Sequence, residues 1–245
     1  MTSAASRHAS LPRQRLFGLV ALMFVGAARA ASYTDFLPCE PLDPNQQYHD
    51  LNEAADHQVL GTVERNHFTP EVETLQKGLT APLPRDIAFV LRAFPNHYRA
   101  LNSMARWQLQ NTKKALDSDN LVWTADCYFL RAMSFVPDDW RVQFVYAIYL
   151  HRAKRYPEAE KTYDSAEQLG AEGAEFFYNR GLLALDEGKL DVAQQYSDKA
   201  YEMGYPLKGL RDKLARAKSA PPPAVKKPKT PAASTKAAET AQKAP

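Results

Sequence analysis

Apolar residues along the middle of the chain recur every three or four positions and are separated by short polar turns, a pattern typical of amphipathic helices. Near the end of this region, Leu207, Leu210 and Leu214 share one face of a segment whose opposite face is mostly basic. No stretch alternates apolar and polar residues for long enough to predict a β-sheet. The pattern therefore predicts an all-α protein.

Helix start and stop signals agree with this pattern. Thr69 and Pro70 predict a short helix over residues 71–77, and Gly78 ends it. Further start signals predict one helix over residues 140–153 and another from Tyr156. A final helix over residues 206–217 presents a partly polar face, as a terminal capping helix needs to.

The helical region repeats with a period of 34 residues. Small residues recur at this offset in the pairs Ala147 and Gly181, Ala159 and Ala193, and Ala166 and Ala200. One further step back from Ala159 and Ala166 reaches Ala125 and Ala132. Small residues at fixed positions let two helices cross closely, and large residues fill the space between neighbouring helix pairs.

These residues make the chain resemble the tetratricopeptide repeat family, whose 34-residue unit is two antiparallel helices. Residues 140–173 and 174–207 match the family pattern, although Ser197 replaces its aromatic residue. An upstream unit at residues 98–137, with its first helix at 96–109, contains an insertion of about eight residues within 110–120. The resemblance implies stacked helix pairs in a short right-handed solenoid. Its repeat-core positions are Ala105, Ala125, Phe129, Ala132, Ala147, Ala159, Tyr163, Ala166, Gly181, Ala193 and Ala200.

The first 30 residues have the three parts of a secretory signal peptide. Arginines precede an apolar run at 16–28, and Ala28 and Ala30 provide the small residues of a cleavage site after Ala30. The alternative is a membrane anchor, but about 13 apolar residues rise only ~20 Å as a helix, which is shorter than the ~30 Å hydrocarbon core of a membrane. The sequence therefore predicts a cleaved signal peptide, an exported and periplasmic bacterial protein, and no stable membrane insertion after cleavage.

Export changes the meaning of the two cysteines. Cys39 and Cys127 both belong to the exported part, where an oxidising environment allows a disulfide between them. The alternative is that Cys127 is a small buried apolar residue on a helix. The sequence alone leaves both alternatives open.

Charge divides the chain into regions. Of 31 basic residues, four fall in residues 1–30 and six in 218–245, which leaves 21 against 27 acidic residues in 31–217. This acidic middle region does not resemble a nucleic-acid-binding domain, in which basic residues cluster on the folded surface. Residues 218–245 are rich in Ala, Pro and Lys, and we expect a disordered tail there. This tail either attracts an anionic envelope glycan by electrostatics or serves as a solubilising spacer.

Motifs for catalysis, nucleotide binding and metal binding are absent from the sequence. His49, His57 and His67 are spaced eight and ten residues apart, which matches no recognised metal site. We therefore predict no cofactor, no metal and no catalytic residue. The role of the N-terminal extension at residues 31–83 is open, and an uncharacterised enzyme stays a third hypothesis for that reason alone.

Binding is the better-supported hypothesis, because the first helix of each repeat lines the inner surface of such a solenoid. The family's carboxylate clamp uses Lys and Asn at fixed inner positions, for which Asn179 is the only credible counterpart here, so the sequence does not predict clamp-type recognition of a chain terminus. The alternative is that the apolar candidates are core and that the arginines are paired with acidic residues on a solvated face. The candidates for a peptide groove are Arg99, Asn102, Arg106, Arg141, Phe144, Ile148, His151, Tyr178, Asn179 and Leu182.

Together these patterns predict a helical domain at residues 84–217 that acts as a non-catalytic adaptor or assembly factor. Its partner would be an unidentified cell-envelope protein or peptide carrying acidic groups. The alternative function is binding of an anionic envelope polymer through the basic tail at 218–245, with the helices as a spacer.

Overall fold

The computed structural model describes residues 39–111 and 122–219. Within these ranges the regular elements are ten α-helices and one short 3-10 helix, so the predicted all-α class is confirmed. The predicted signal peptide at 1–30, most of the predicted insertion and the tail from residue 220 onward lie outside the described residues. In chain order the elements are a 3-10 turn Ala54–Asp56 and the helices α1 His57–His67, α2 Pro70–Glu73, α3 Leu83–Ala93, α4 Tyr98–Asn111, α5 Ala125–Phe135, α6 Trp140–Arg152, α7 Tyr156–Gln168, α8 Ala174–Asp186, α9 Leu190–Glu202 and α10 Gly209–Ser219.

Helices α6 and α7 form one hairpin and α8 and α9 form a second, each closed by a three-residue turn. Every boundary of the second hairpin lies 34 residues after the corresponding boundary of the first. The turns repeat as well, because Lys154 (φ 62°) and Gly188 (φ 77°) both take the left-handed conformation that ends the first helix. The 34-residue period of the sequence is thus also the period of the helices.

The predicted repeat-core positions lie in the interior. All eleven of them are buried, with Phe129, Tyr163 and the alanines at most 3% exposed. At Gly181 an added Cβ would lie 2.6 Å from Cδ2 of Leu210, so α8 and α10 meet where a side chain is missing. Small residues therefore allow the close helix contacts that the pattern predicts.

Three predicted boundaries were wrong, and local contacts explain each difference. The helix expected at 71–77 ends at Glu73, because Leu75 has a positive φ of 63°. The helix expected at 96–109 is α4, which starts after His97, whose Nδ1 accepts a hydrogen bond from the Ala100 N–H as a cap.

The capping helix expected at 206–217 is α10, which starts only at Gly209 and continues to Ser219. Two contacts explain why α10 starts three residues later than expected. The Tyr205 ring packs 4.3 Å from that of Tyr178, and the Leu207 carbonyl accepts a hydrogen bond from the Tyr201 hydroxyl. These contacts hold residues 205–207 outside the helix.

A segment at residues 39–52, which we call the strap, crosses the helices and is fastened to α5 at its first residues. The structure joins Cys39 to Cys127 by a disulfide with a Cα–Cα distance of 5.4 Å. Next to it, Nη1 of the buried Arg131 donates to the backbone carbonyls of Glu40 and Pro41, both at 2.6 Å. The disulfide is therefore the alternative that the structure contains.

The other end of the strap is held by backbone and amide hydrogen bonds. Leu51 donates its N–H to Oδ1 of Asn96, which precedes α4. Asn52 donates its amide to Oδ2 of Asp139, the buried residue that caps α6 through the Arg141 N–H. The strap thus ties the starts of α4 and α6 to α5, and these are the helices that position the site described next.

Candidate functional site

A groove of about 660 Å³ lies across the first helices of successive helix pairs. It is lined by α4, α6 and α8, by the end of α2 and by the segment before α10. Eight of the ten predicted groove residues line it: Arg99, Asn102, Arg141, Phe144, Ile148, Tyr178, Asn179 and Leu182. The prediction missed Glu73, Tyr98, Trp140, Val145, Arg152, Glu175, Tyr205 and Leu207, which also line it.

The lining of the groove follows the 34-residue repeat, because α6 and α8 contribute residues at corresponding positions. The lining residues pair at an offset of 34 as Arg141 with Glu175, Phe144 with Tyr178, Val145 with Asn179, and Ile148 with Leu182. Positions spaced by three, four and seven residues share one face of a helix. One face of each repeat therefore builds one section of the groove.

Two predicted residues, Arg106 and His151, lie outside the groove. Helix α2 covers the part of α4 that carries Arg106, whose Nη1 lies 3.5 Å from the carbonyl oxygen of Glu73. His151 turns to the other side of α6, where its Nε2 lies 3.0 Å from Oδ2 of Asp186. At about 100° per residue, Arg152 is about 40° around the helix axis from Ile148, whereas His151 is about 60° away on the other side. Helix geometry alone could therefore have identified Arg152 as the groove residue.

Arg99 is neutralised within the protein. Its Nε and Nη2 donate to the two carboxylate oxygens of Glu73 at 2.8 and 2.5 Å, and its Nη1 lies 3.2 Å from Oε1 of Glu64. The Arg99 guanidinium holds the pKa of the Glu73 carboxyl below its usual range, and the Glu73 carboxylate in turn raises the pKa of Arg99. This corner of the groove is therefore an internal ion pair.

Arg141 and Arg152 differ from Arg99 because no carboxylate within the described residues saturates their donors. Arg141 rests over the Trp140 ring, 4.8 Å from its centre, and its Nη1 is 3.9 Å from Oδ1 of Asp139. That carboxylate is buried and already accepts hydrogen bonds from Arg141 N–H and two amides. Arg152 is exposed and forms no ion pair within the described ranges. Both guanidinium groups thus have donors left for a ligand.

Apolar and amide groups lie between these charges. Phe144 is 8% exposed and belongs to the core, because its ring packs 5.6 Å from that of Phe176. Ile148 and Leu182 are half-buried and offer apolar surface to the groove. Asn179 uses its amide N–H on the Glu175 carbonyl at 2.9 Å, which leaves its Oδ1 as an acceptor.

Acidic and aromatic groups complete the lining. Glu175 is exposed and forms no ion pair with another described residue. Burial raises the pKa of the Tyr178 and Tyr205 hydroxyls, so both remain protonated and can donate hydrogen bonds at neutral pH. The groove therefore combines cationic, aromatic and hydrogen-bonding groups along apolar surface, a combination that suits a peptide.

Two of the three N-terminal histidines, His49 and His67, contact separate carboxylates. His49 Nδ1 lies 2.6 Å from Oδ1 of Asp56, and His67 Nδ1 lies 3.1 Å from Oδ1 of the buried Asp86. Across residues 39–111 and 122–219, no three side chains of His, Cys, Asp or Glu are grouped so that they could hold a metal ion. In the same two ranges, no helix has the length and apolar character needed to span a membrane.

Comparisons of the chain with protein-family models, curated proteins and solved structures found no match. The family resemblance thus rests on the 34-residue pattern of the sequence.

Proposed function

We propose that this chain is an exported, non-catalytic adaptor that binds a segment of another cell-envelope protein in the groove. In this proposal α4 to α10 form a short right-handed solenoid of tetratricopeptide-like helix pairs. The observation that carries it is that corresponding faces of α6 and α8 line one continuous groove, with the matching face of α4 beside them. Such a surface accepts an extended chain that lies along α6, with its side chains in contact with α4 on one side and α8 on the other.

Export is the part of the proposal that rests on residues 1–30, which lie outside the described ranges. The disulfide between Cys39 and Cys127 supports it, because disulfides persist in oxidising compartments such as a periplasm. The partner is therefore sought in the cell envelope.

Photo-crosslinking in the native cells tests this proposal. A benzophenone amino acid replaces Asn102 in the groove, and in a second variant it replaces Asn66 on α1, which does not line the groove. We expect one defined protein to be crosslinked from position 102 and not from position 66. Equal crosslinking from both positions, or none from position 102, would contradict the proposal.

A groove-filling substitution provides the second measurement. Asn179→Trp should abolish capture of that protein, because an indole would fill space between α6 and α8. Asn66→Trp is the matched control, since both amides are on helices and both donate to the backbone carbonyl four residues earlier. Capture that survives Asn179→Trp in a folded variant would rule out the groove as the binding site.

A chain ending at Ser219 separates this proposal from the polymer alternative. If the groove binds the partner, the shortened chain still captures it. Recovery of an anionic glycan that depends on residues 220–245, without a protein partner, would favour the polymer alternative.

A further inference from the structure

The distribution of charge along α6 narrows the chemistry of the groove ligand. Arg141 and Arg152 are eleven residues apart and both line the groove, with Val145 and Ile148 between them. Eleven residues of helix make just over three full turns, so the two arginines lie on one face and about 16 Å apart along the axis. The helix thus presents a cation at each end of an apolar stretch.

These two arginines are the groove cations that remain available to a ligand. Glu73 satisfies Arg99 with two hydrogen bonds, whereas the nearest carboxylate to Arg141, that of Asp139, is buried and occupied. Arg152 is exposed and without an ion pair in the described ranges. Arginine binds a carboxylate through two parallel hydrogen bonds, so each free guanidinium can hold one acidic side chain.

The distance between the two arginines sets the spacing of the acidic groups in a ligand. The proposed function is binding of an extended segment, and the cations at the two ends of the apolar stretch of α6 would pair with acidic groups about 16 Å apart. An extended chain covers about 16 Å in five residues. We infer, on the basis of the proposed function, that the groove binds an extended peptide segment with two acidic side chains about five residues apart and apolar side chains between them.

Synthetic peptides of one composition test this inference. Three fluorescein-labelled ten-residue peptides carry the same two glutamates and the same leucines and alanines, with the glutamates one, five or nine residues apart. Because net charge is constant, unspecific attraction to the protein is constant as well. At about 0.15 M salt we expect the spacing of five to bind about tenfold tighter than the other two.

Variants of the two arginines show whether the preference comes from this pair. Arg141→Gln and Arg152→Gln should each weaken the five-spaced peptide about fivefold, and the double variant should bind all three peptides alike. Arg216→Gln on α10 is the matched control, because Arg216 is exposed, lies outside the groove and changes net charge equally. Unfolding midpoints near that of the unchanged protein establish that the variants are folded.

A gain in affinity provides a measurement that misfolding cannot imitate. Glu175 is an exposed carboxylate in the groove that opposes acidic ligands, so Glu175→Gln should tighten the five-spaced peptide about two- to threefold. The inference is overturned if the peptides bind equally or if the double arginine variant keeps the preference for five. It is also overturned if no peptide binds while crosslinking from position 102 still captures a protein, and in that case the proposed function stands. Loss of the crosslinked protein as well would overturn both.

Discussion

Cys127 and Arg131 lie one turn apart on the same face of α5, and both fasten the same end of the strap. The cysteine holds it covalently at Cys39, and the arginine donates to the next two carbonyls. The guanidinium also lies over the Trp123 ring, 4.3 Å from its centre. A covalent bond and a buried charge thus fix residues that are about 90 positions apart in sequence.

Removal of the disulfide should lower the stability of the protein without unfolding it. We expect the double substitution Cys39→Ser with Cys127→Ser to reduce the free energy of unfolding by about 2–4 kcal/mol, because the crosslink closes a loop of 88 residues. Arg131 should keep the strap docked. Urea unfolding measures the loss, and the unchanged protein with a reducing agent should show the same loss. An unchanged midpoint would contradict this role of the disulfide.

The turn at Lys154 should become more stable when it is made like its counterpart. Lys154 and Gly188 occupy equivalent left-handed positions, but only glycine adopts this conformation without steric cost. We expect Lys154→Gly to raise the free energy of unfolding by about 0.5–1 kcal/mol. The reverse change, Gly188→Lys, should lower it by a similar amount, since an added Cβ there meets no other atom within 4 Å and only the backbone is affected. Urea unfolding measures both changes, and a shift of the free energy of unfolding in the same direction for both would contradict this explanation.

The sequence predicts the repeating part of this molecule well, because the same physical constraint acts twice. The small residues Ala159 and Ala193 are needed wherever two helices cross, so a 34-residue period in them is also the period of the helices. The same reasoning placed Arg141 and Ile148 in the groove. The prediction of His151 where the structure has Arg152 is an error of one residue in the assignment of the groove face of α6.

The strap could not be predicted in the same way. Its contacts, such as that of Arg131 with Glu40, join residues far apart in sequence and have no period. The sequence left open that the groove arginines pair with acidic residues, but it could not identify Glu73 as the partner of Arg99, because Glu73 belongs to the non-repeating extension. Charge patterns along a helix show which residues share a face but not which side chain from another element neutralises them.

Tyr163 should tolerate loss of its hydroxyl. The residue is fully buried, and its hydroxyl oxygen has no hydrogen-bond partner among the described residues. Since an unpaired buried hydroxyl is unfavourable, we expect Tyr163→Phe to raise the free energy of unfolding by about 0.5–1 kcal/mol. Tyr149→Phe is the matched control and should lower it by about 1 kcal/mol, because that hydroxyl bonds to Asp126 and Gln108. Thermal unfolding of both variants measures the contrast, and destabilisation by Tyr163→Phe would contradict it.

Gly181 should resist any larger residue. An added Cβ there would lie 2.6 Å from Leu210 and 3.3 Å from Tyr196, so Gly181→Val should lower the free energy of unfolding by about 1–3 kcal/mol. Gly61 provides the control, because an added Cβ on α1 meets only the end of the Arg65 side chain at 3.4 Å. Gly61→Ala should therefore raise the free energy of unfolding by about 1 kcal/mol through helix propensity. If urea unfolding shows that Gly181→Val leaves the free energy of unfolding unchanged, α8 and α10 do not approach each other as closely as described.

Acid should weaken the protein through the carboxylates that hold Arg99. The Arg99 guanidinium lowers the pKa of Glu73, and the hydrogen bond from His97 lowers the pKa of Glu64. Both groups therefore bind a proton less readily when folded than when unfolded. Their contribution to stability is complete above the ordinary carboxyl pKa of 4.5 and is lost as pH falls through the lower pKa of the folded state.

Removing both carboxylates should flatten the decline of stability below pH 4.5. We expect the double variant Glu64→Gln with Glu73→Gln to be less stable at pH 7, and to lose less stability than the unchanged protein between pH 5 and about pH 3. Glu202→Gln is the control, because Glu202 is exposed on α9 and has no ion pair within the described ranges. Urea unfolding across this pH range measures the slopes. A slope in the double variant as steep as in the unchanged protein would mean that acid acts elsewhere, and that the Arg99 pairs contribute little to holding α1 and α2 against α4.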